Sequence, residues 1–353
     1  MPEPAINRDI IVVGASAGGL EALRVLLAGL PPDLPAALFV VVHVGKVSHL
    51  ASVLDRESVL PVTRACNGEA FTNAHVYVAP PGKHLMLHDD HILLRRGPRE
   101  NLARPAIDPL FRSAAASFAT RTIGVILSGA LSDGTAGLRA IARCGGVTVV
   151  QQPQDALVPE MPGNALRYVD VDYVAPAAEM AALLDALCRR KPDLAPDIPL
   201  DIRLEAAIAA QELADMKVDD TLGRISRFTC PECHGALWEI EDGDMLRYRC
   251  HVGHAFSAET VLAAQTDEID RLLGTLQRSH QERAALARRM ADKGRAEGRS
   301  QLASEFEKRA REYDEDAELV KSLMRNGDLG AGVVTKSSIR SLSPDEEEER
   351  QRG

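Results

Sequence analysis

Residues 10–23 read IIVVGASAGGLEAL: four branched apolar residues, a stretch without bulk, then apolar positions at helical spacing. Such a run predicts a buried strand that turns at once into a helix. The alternation recurs over the first 190 residues. Apolar, β-rich runs at 10–13, 38–42, 76–78, 123–127 and 147–151 predict strands, and LEALRVLLAGL and LFRSAAASFA between them repeat apolar residues at helical spacing. Strands apolar on both faces and separated by helices make a mainly parallel sheet covered on both sides, so a doubly wound, Rossmann-like α/β domain is expected over 1–190. HLMLHDDHILLRRG predicts a hairpin turning at Asp89-Asp90.

Near residue 190 the pattern stops. KPDLAPDIPLD is proline-rich and reads as a linker, continued by a helix, over 191–225. Residues 226–257 hold a Cys/His cluster, and 258–326 are almost wholly helix-forming. There Phe306, Ala310, Tyr313, Ala317, Val320 and Met324 alternate by four and three, which marks one apolar stripe. Gly294 and Gly298 interrupt the run, so an antiparallel helical hairpin is expected, with a single kinked, solvated helix as the alternative. The tail over 327–353, with its serines and EEEE run, predicts disorder.

Composition narrows the functional classes. With 353 residues, 45% hydrophobic and 26% charged, the chain is an ordinary globular protein of about two domains. Its formal charge of −10 argues against a nucleic-acid binder. The start, MPEPAINRD, lacks the apolar core of a signal peptide, and no apolar run approaches the roughly eighteen residues that span a bilayer. A cytoplasmic protein without membrane insertion is therefore expected. Of six cysteines, Cys66, Cys144 and Cys188 stand alone while Cys230, Cys233 and Cys250 cluster near histidines, which is metal spacing rather than a disulfide framework.

Three kinds of site share the strand, glycine, helix outline of residues 10–23. A dinucleotide fold requires glycine where Ser16 stands, and a phosphate-binding P-loop requires lysine after its last glycine. Gly14-Ala15-Ser16-Ala17-Gly18 instead fits G-x-S-x-G, the nucleophile elbow, whose small neighbours permit a sharp turn that lifts the serine hydroxyl above the sheet. The plainer reading is a helix-capping serine. A nucleophile needs a base and a group to orient that base. ALFVVV ends directly in His43, where a general base would stand, and TIGVIL opens into SGALSDGTAG, which carries Asp133. Each alone has a structural reading, a strand-end histidine and an Asp-Gly turn. Together they complete a Ser/His/Asp set, which is defined by geometry rather than by chain order.

GASAGG, VVVHV and ILSGALSDGTAG, with RPAIDPLFRSAA between them and QPQDALVPEMPGNAL after, resemble the catalytic domain of the chemotaxis protein-glutamate methylesterases, the CheB family, over residues 9–187. The resemblance implies the CheB type of doubly wound sheet and a triad of Ser16, His43 and Asp133 that removes methyl groups from glutamate side chains of chemoreceptors. It also implies an oxyanion site at the backbone N–H of Ala17, with Ala130 a weaker second donor, and the same apparatus would deamidate glutamine. Arg104, Arg112 and Met161 match positions near the substrate, although either arginine would serve equally as a structural ion-pair partner. Ala17 stands where threonine is common, and Glu160, where glycine is usual, would narrow the mouth of the site. The esterase strand begins at Ile10, leaving no room ahead of it for a phospho-receiver domain, so control by phosphorylation in cis is not expected.

FTCPECHGALWEIEDGDMLRYRCHVGHAF, residues 228–256, reads as a zinc-ribbon-like module. Cys230 and Cys233 form a CxxC knuckle, LWEIEDGDMLRYR a hairpin around Asp242-Gly243-Asp244, and Cys250 with one histidine would close a tetrahedral structural zinc site. His254 leaves room to curl back to the metal and is favoured over the adjacent His251 and over His234. The acidic residues of the module favour a protein partner over nucleic acid. The expected whole is a serine hydrolase acting on methylated chemoreceptor-like proteins, with a zinc-and-helix appendage that offers docking or homodimerisation through the C-terminal helices. The alternative is a zinc-ribbon and coiled-coil adaptor on a non-catalytic hydrolase scaffold.

Overall fold

The computed structural model describes residues 7–43, 49–210 and 223–325; the expected disordered tail and part of the 191–225 linker lie outside them. Seven parallel strands form the central sheet: β1 (Ile10–Ala15), β2 (Ala37–Val42), β3 (Val62–Arg64), β4 (His75–Val78), β7 (Thr122–Ile126), β8 (Val147–Gln151) and β9 (Tyr173–Ala175), in the order β3-β4-β2-β1-β7-β8-β9. β5 (His84–His88) and β6 (His91–Arg95) make the expected hairpin with Asp89-Asp90 at its turn.

Alternate residues of the central strands enter opposite cores, which is why IIVV carries no polar position. Ile11 and Val13 meet Leu23, Leu26 and Leu27 of α1 (Gly19–Gly29) and Met180 and Leu184 of α6 (Ala177–Cys188). Ile10 and Val12 meet Leu110 and Phe111 of α3 (Ile107–Phe118) and Leu138 of α4 (Thr135–Arg143). The chain leaves β1 for β2 on one side and returns as β7 on the other. The carboxyl ends of these three strands therefore border the crevice where a doubly wound sheet places its site.

After α7 (Leu200–Ala209), strands β10 (Arg224–Thr229), β11 (Ala236–Asp242), β12 (Met245–Cys250) and β13 (Ala255–Ser257) form a second, antiparallel sheet. Asp242 pairs with Met245, so a two-residue Gly243-Asp244 turn closes the predicted hairpin. Residues 99–101 of the first domain extend this sheet: Asn101 donates its N–H to the Ala255 carbonyl (2.8 Å), and the Ala255 N–H reaches the Arg99 carbonyl (3.3 Å).

Behind that junction lies a buried charge cluster. Glu205 of α7, 2% exposed, accepts from Arg247 (2.9 Å) and Arg249 (2.8 Å) of β12, and Arg112 of α3 pairs with Glu100 and lies 3.7 Å from Glu205. Burial pushes the Glu205 carboxyl up, but the guanidiniums of Arg247, Arg112 and Arg249 outweigh it and hold the group well below the ordinary carboxylate range.

The chain divides into two compact units after Leu262. Helix α8 (Ala258–Ala296) begins in the first, and the second contains its remainder and α9 (Ser300–Arg325). Within the second unit the two helices are antiparallel: the Arg283 guanidinium stacks on Tyr313 at 3.9 Å, His280 meets Asp316 at 3.3 Å, and Arg288 pairs with Asp314. Ala284, Ala287, Ala291, Ala303, Ala310 and Ala317 are buried. The reversal falls at residues 297–299, whereas Gly294, also expected to break the run, stays helical. One glycine costs a helix only about 1 kcal/mol, too little to end it by itself.

Removing the shared carboxylate strands several buried cations. Glu205→Ala is expected to destabilise the first unit by about 3–5 kcal/mol in urea denaturation; a loss below about 1 kcal/mol would mean that the guanidiniums find other partners.

Candidate active site

The first strand delivers the serine. Past β1, the Ser16 N–H bonds to the Ser128 carbonyl (2.9 Å), and the Ser128 hydroxyl donates to the Ala17 carbonyl (2.8 Å), so the loops after β1 and β7 are stitched together beneath the hydroxyl. Gly18 lies at φ 73, and a Cβ there would come within 2.8 Å of Leu157 and Ser128. Glycine alone fits both the conformation and the space. Gly129 is equally confined, since its Cβ would lie 2.3 Å from the Met161 sulfur and 2.8 Å from the Ser16 Cβ.

Immediately after β2, His43 places Nδ1 3.1 Å from the Ser16 Oγ and Nε2 2.8 Å from Oδ2 of Asp133. Asp133 is 2% exposed. Its Oδ2 also accepts the Ile107 N–H (2.7 Å) at the start of α3, and its Oδ1 accepts the Gly134 N–H (3.1 Å) and the Asn101 side-chain amide (3.0 Å). Burial is the largest influence and by itself raises the Asp133 pKa. The His43 ring, the Ile107 N–H and the Asn101 amide outweigh it and hold the carboxyl below its ordinary range. An ionised carboxylate only accepts, so the ring proton sits on Nε2 and the Nδ1 lone pair faces the serine O–H. Either ring nitrogen serves as base, provided the other is protonated.

Beside the triad carboxylate lies a second one. Asp108, 3% exposed, accepts the Gly137 N–H (2.6 Å) and the other proton of the Asn101 amide (2.9 Å). Burial and then the Asp133 charge push it up to about 7. Two adjacent carboxyls are thus driven apart, one anionic across the neutral range and one that loses its proton only around pH 7. Sequence reasoning assigned no role to Asp108, Asn101 or Ser128, although Asp108 and Ser128 lie inside quoted motifs.

The remaining candidates separate. Ala17 and Ala130 are exposed at the two stitched loops. Met161 is fully buried, its sulfur against Gly129 behind Ser16, so it forms a wall rather than an open contact. Arg104 is half-buried and donates to the Gly97 carbonyl (2.7 Å). Arg112, 1% exposed and committed to Glu100 and Glu205, corrects the expectation of a substrate-proximal group: the buried charge cluster occupies its guanidinium. Glu160 accepts the Leu131 N–H (2.9 Å) and ties that loop to α5 (Glu160–Tyr168).

Away from the triad, Cys230, Cys233, Cys250 and His254 bring their donor atoms within 4.8 Å of one another. The separations Cys233–Cys250 (3.6 Å), Cys230–His254 (3.7 Å) and Cys250–His254 (3.4 Å) fit the edges of about 3.6–3.8 Å of a tetrahedron with metal–sulfur bonds near 2.3 Å. His254 uses Nδ1; His234 and His251 are exposed and outside the set. Among the described residues, no helix is long and apolar enough to cross a membrane.

Residues 11–184 match the family model described as CheB methylesterase. The protein-glutamate methylesterase/protein-glutamine glutaminase 2 of Anaeromyxobacter dehalogenans is 39% identical over 190 residues, 53% of this chain and 56% of that protein. A Leptospira interrogans protein provisionally named for the same two activities is 37% identical over 181 residues, 50% of this chain and 94% of its own length. The crystal structure of the Thermotoga maritima CheB methylesterase catalytic domain aligns at 34% identity, covering 51% of this chain and 98% of that one, with a TM-score of 0.49. The chain spans about half the length of several curated relatives it matches.

The raised Asp108 pKa carries a sign. Between the ordinary carboxylate range and about pH 7 the folded protein keeps a proton on Asp108 that the unfolded chain has released, so this contribution to stability falls as pH rises. The difference in unfolding free energy between the wild type and Asp108→Asn should therefore decline from about pH 4 to about pH 7, by at most about 1.4 kcal/mol per unit. A flat difference in urea melts would mean that Asp108 is ionised throughout.

Proposed function

Because the chain belongs to the CheB methylesterase family, we propose that it is a cytoplasmic protein-glutamate methylesterase acting on methylated chemoreceptor-like proteins, with a glutamine deamidase activity at the same site. The observation that carries this reading is the hydrogen-bonded series from Ser16 Oγ through His43 Nδ1 and Nε2 to Asp133 Oδ2. Ser16 attacks the side-chain carbonyl carbon of a glutamate methyl ester while Nδ1 takes its proton. The imidazolium, facing the Asp133 anion, returns that proton to the departing methoxide, and methanol leaves. Water then attacks the acyl-serine, its proton passing to Nδ1 and on to the Ser16 oxygen, which frees glutamate. On glutamine the leaving group is ammonia. The Ala17 N–H and a second backbone donor near Ala130 are assigned to the oxyanion, where loss of one donor typically lowers the rate about 10²–10³-fold.

Zinc is the metal assigned to Cys230, Cys233, Cys250 and His254, where three thiolates and one imidazole leave no open position and make the ion a structural support for β10 to β13. Homodimerisation is assigned to the helical hairpin, where Leu272, Leu276, Leu319 and Leu323 are exposed.

Two measurements test these assignments. Methanol release from receptor peptides carrying glutamate methyl esters should fall about 10³-fold or more in Ser16→Ala. Release no greater than in Ser16→Ala, with Ser16 still labelled by a fluorophosphonate, would assign another ester or amide as substrate, and absence of labelling would favour the adaptor. Elemental analysis should find about one zinc per chain, lost in Cys250→Ser; full retention in that variant would remove Cys250 from the ligand set.

A further inference from the structure

We propose that Asn101 is a positioning residue for Asp133 and that the β13 strand of the Cys/His module holds it in place, so that the module forms part of the catalytic support. This rests on Ser16, His43 and Asp133 being the reactive set. The Asn101 amide is fully engaged. Its two N–H bonds go to Asp133 Oδ1 (3.0 Å) and Asp108 Oδ2 (2.9 Å), and its Oδ1 accepts the Ser257 N–H (3.0 Å). Reversing the amide would set its oxygen against both carboxyls and its NH2 against an N–H, so the Ser257 donor fixes which end faces the triad.

The backbone at Asn101 is held from the same side. Its N–H bonds to the Ala255 carbonyl (2.8 Å), and it stands at φ 48, which asparagine tolerates better than most residues. Leu102 packs against the core of the Cys/His module. Ser257 reaches the triad loop by a second route: its buried hydroxyl lies 2.6 Å from that of Ser132, the residue before Asp133, while accepting the Thr260 N–H (3.1 Å) as the cap of α8. Cys250 and His254, at the other end of the same short turn into β13, are two of the four candidate metal ligands.

Bonds to a buried anion of this kind differ from general packing in one respect. They orient the acceptor of the His43 ring, and their loss falls on activation of the serine rather than on binding. The reaction of Ser16 with a fluorophosphonate in the full-length chain separates the two, because its maximal inactivation rate reports activation and its half-saturating concentration reports binding. It needs no knowledge of the natural substrate.

Asn101→Leu, which deletes all three bonds, and Asn101→Asp, which keeps shape and backbone preference but offers no donor to Asp133, should each lower the maximal rate roughly 10–100-fold. The half-saturating concentration should stay within about twofold and the circular dichroism remain native. Ser257→Ala removes only the hydroxyl that reaches Ser132. Relative to it, Ser257→Pro, which also removes the N–H donor to Asn101, should lower the same rate further in the wild-type background and by less than about threefold when Asn101 is already Leu. Should Ser257→Pro not fold, Leu102→Ala replaces it in the cycle. Maximal rates within about threefold of wild type in both Asn101 variants would overturn the positioning role. Equal losses in both backgrounds would overturn the link to the module, and a wild type that is not labelled at Ser16 would overturn both this inference and the hydrolase reading.

Discussion

An ionised carboxylate shut away from water is costly unless protein donors replace the water it lost, and Asp133 meets that requirement with groups drawn from four parts of the chain. The N–H of Ile107 comes from the start of α3, where the helix dipole also favours negative charge. The N–H of Gly134 comes from the turn into α4, the Asn101 amide from the segment joined to β13, and the ring N–H from the end of β2. Each donor must arrive within about 3 Å, so α3 must start where it does and β7 must lie beside β1. Much of the doubly wound core can be understood as what holds those four donors in place.

The same anion organises its neighbours. It fixes the His43 tautomer and so aims a lone pair at Ser16, and after burial, the larger cause, it raises the Asp108 pKa although the two carboxyls share one amide. Ser16 has the opposite environment. It is half-buried, and small residues and the Ser128 hydroxyl shape the backbone around it without covering the oxygen. A charged, enclosed partner at one end and an accessible hydroxyl at the other is the polarity that general-base activation requires.

Much of this was legible in the chain because two strands announce themselves by unbroken apolar runs and end directly in a residue with chemistry: IIVVGAS in Ser16 and ALFVVVH in His43. Asp133 follows TIGVIL across a glycine-rich loop in the same way. β3 and β9 were not visible, since three residues at a sheet edge carry too little periodicity to separate from loop. Asn101 and Asp108 were missed for a different reason. Apart from their bond to each other, seven positions apart, their roles are set by partners 25 to 156 positions away, and no local pattern distinguishes a surface asparagine from one wedged between two carboxyls. Arg112 was misplaced for the same cause, because a motif gives residue type but not whether Glu100 and Glu205 already hold the guanidinium.

The cluster around Glu205 bears on where this protein can be divided. The stretch that matches the family model ends at residue 184, yet the cations that balance Glu100 and Glu205 include Arg247 and Arg249, far beyond it. A fragment cut at the end of the matching stretch would open a formerly dry face to solvent with Arg112 and Glu100 deprived of their outer partners, and would take Ser257 away from Asn101. In this chain the compact unit that contains the matching stretch accordingly runs on through Leu262, in the first turns of α8.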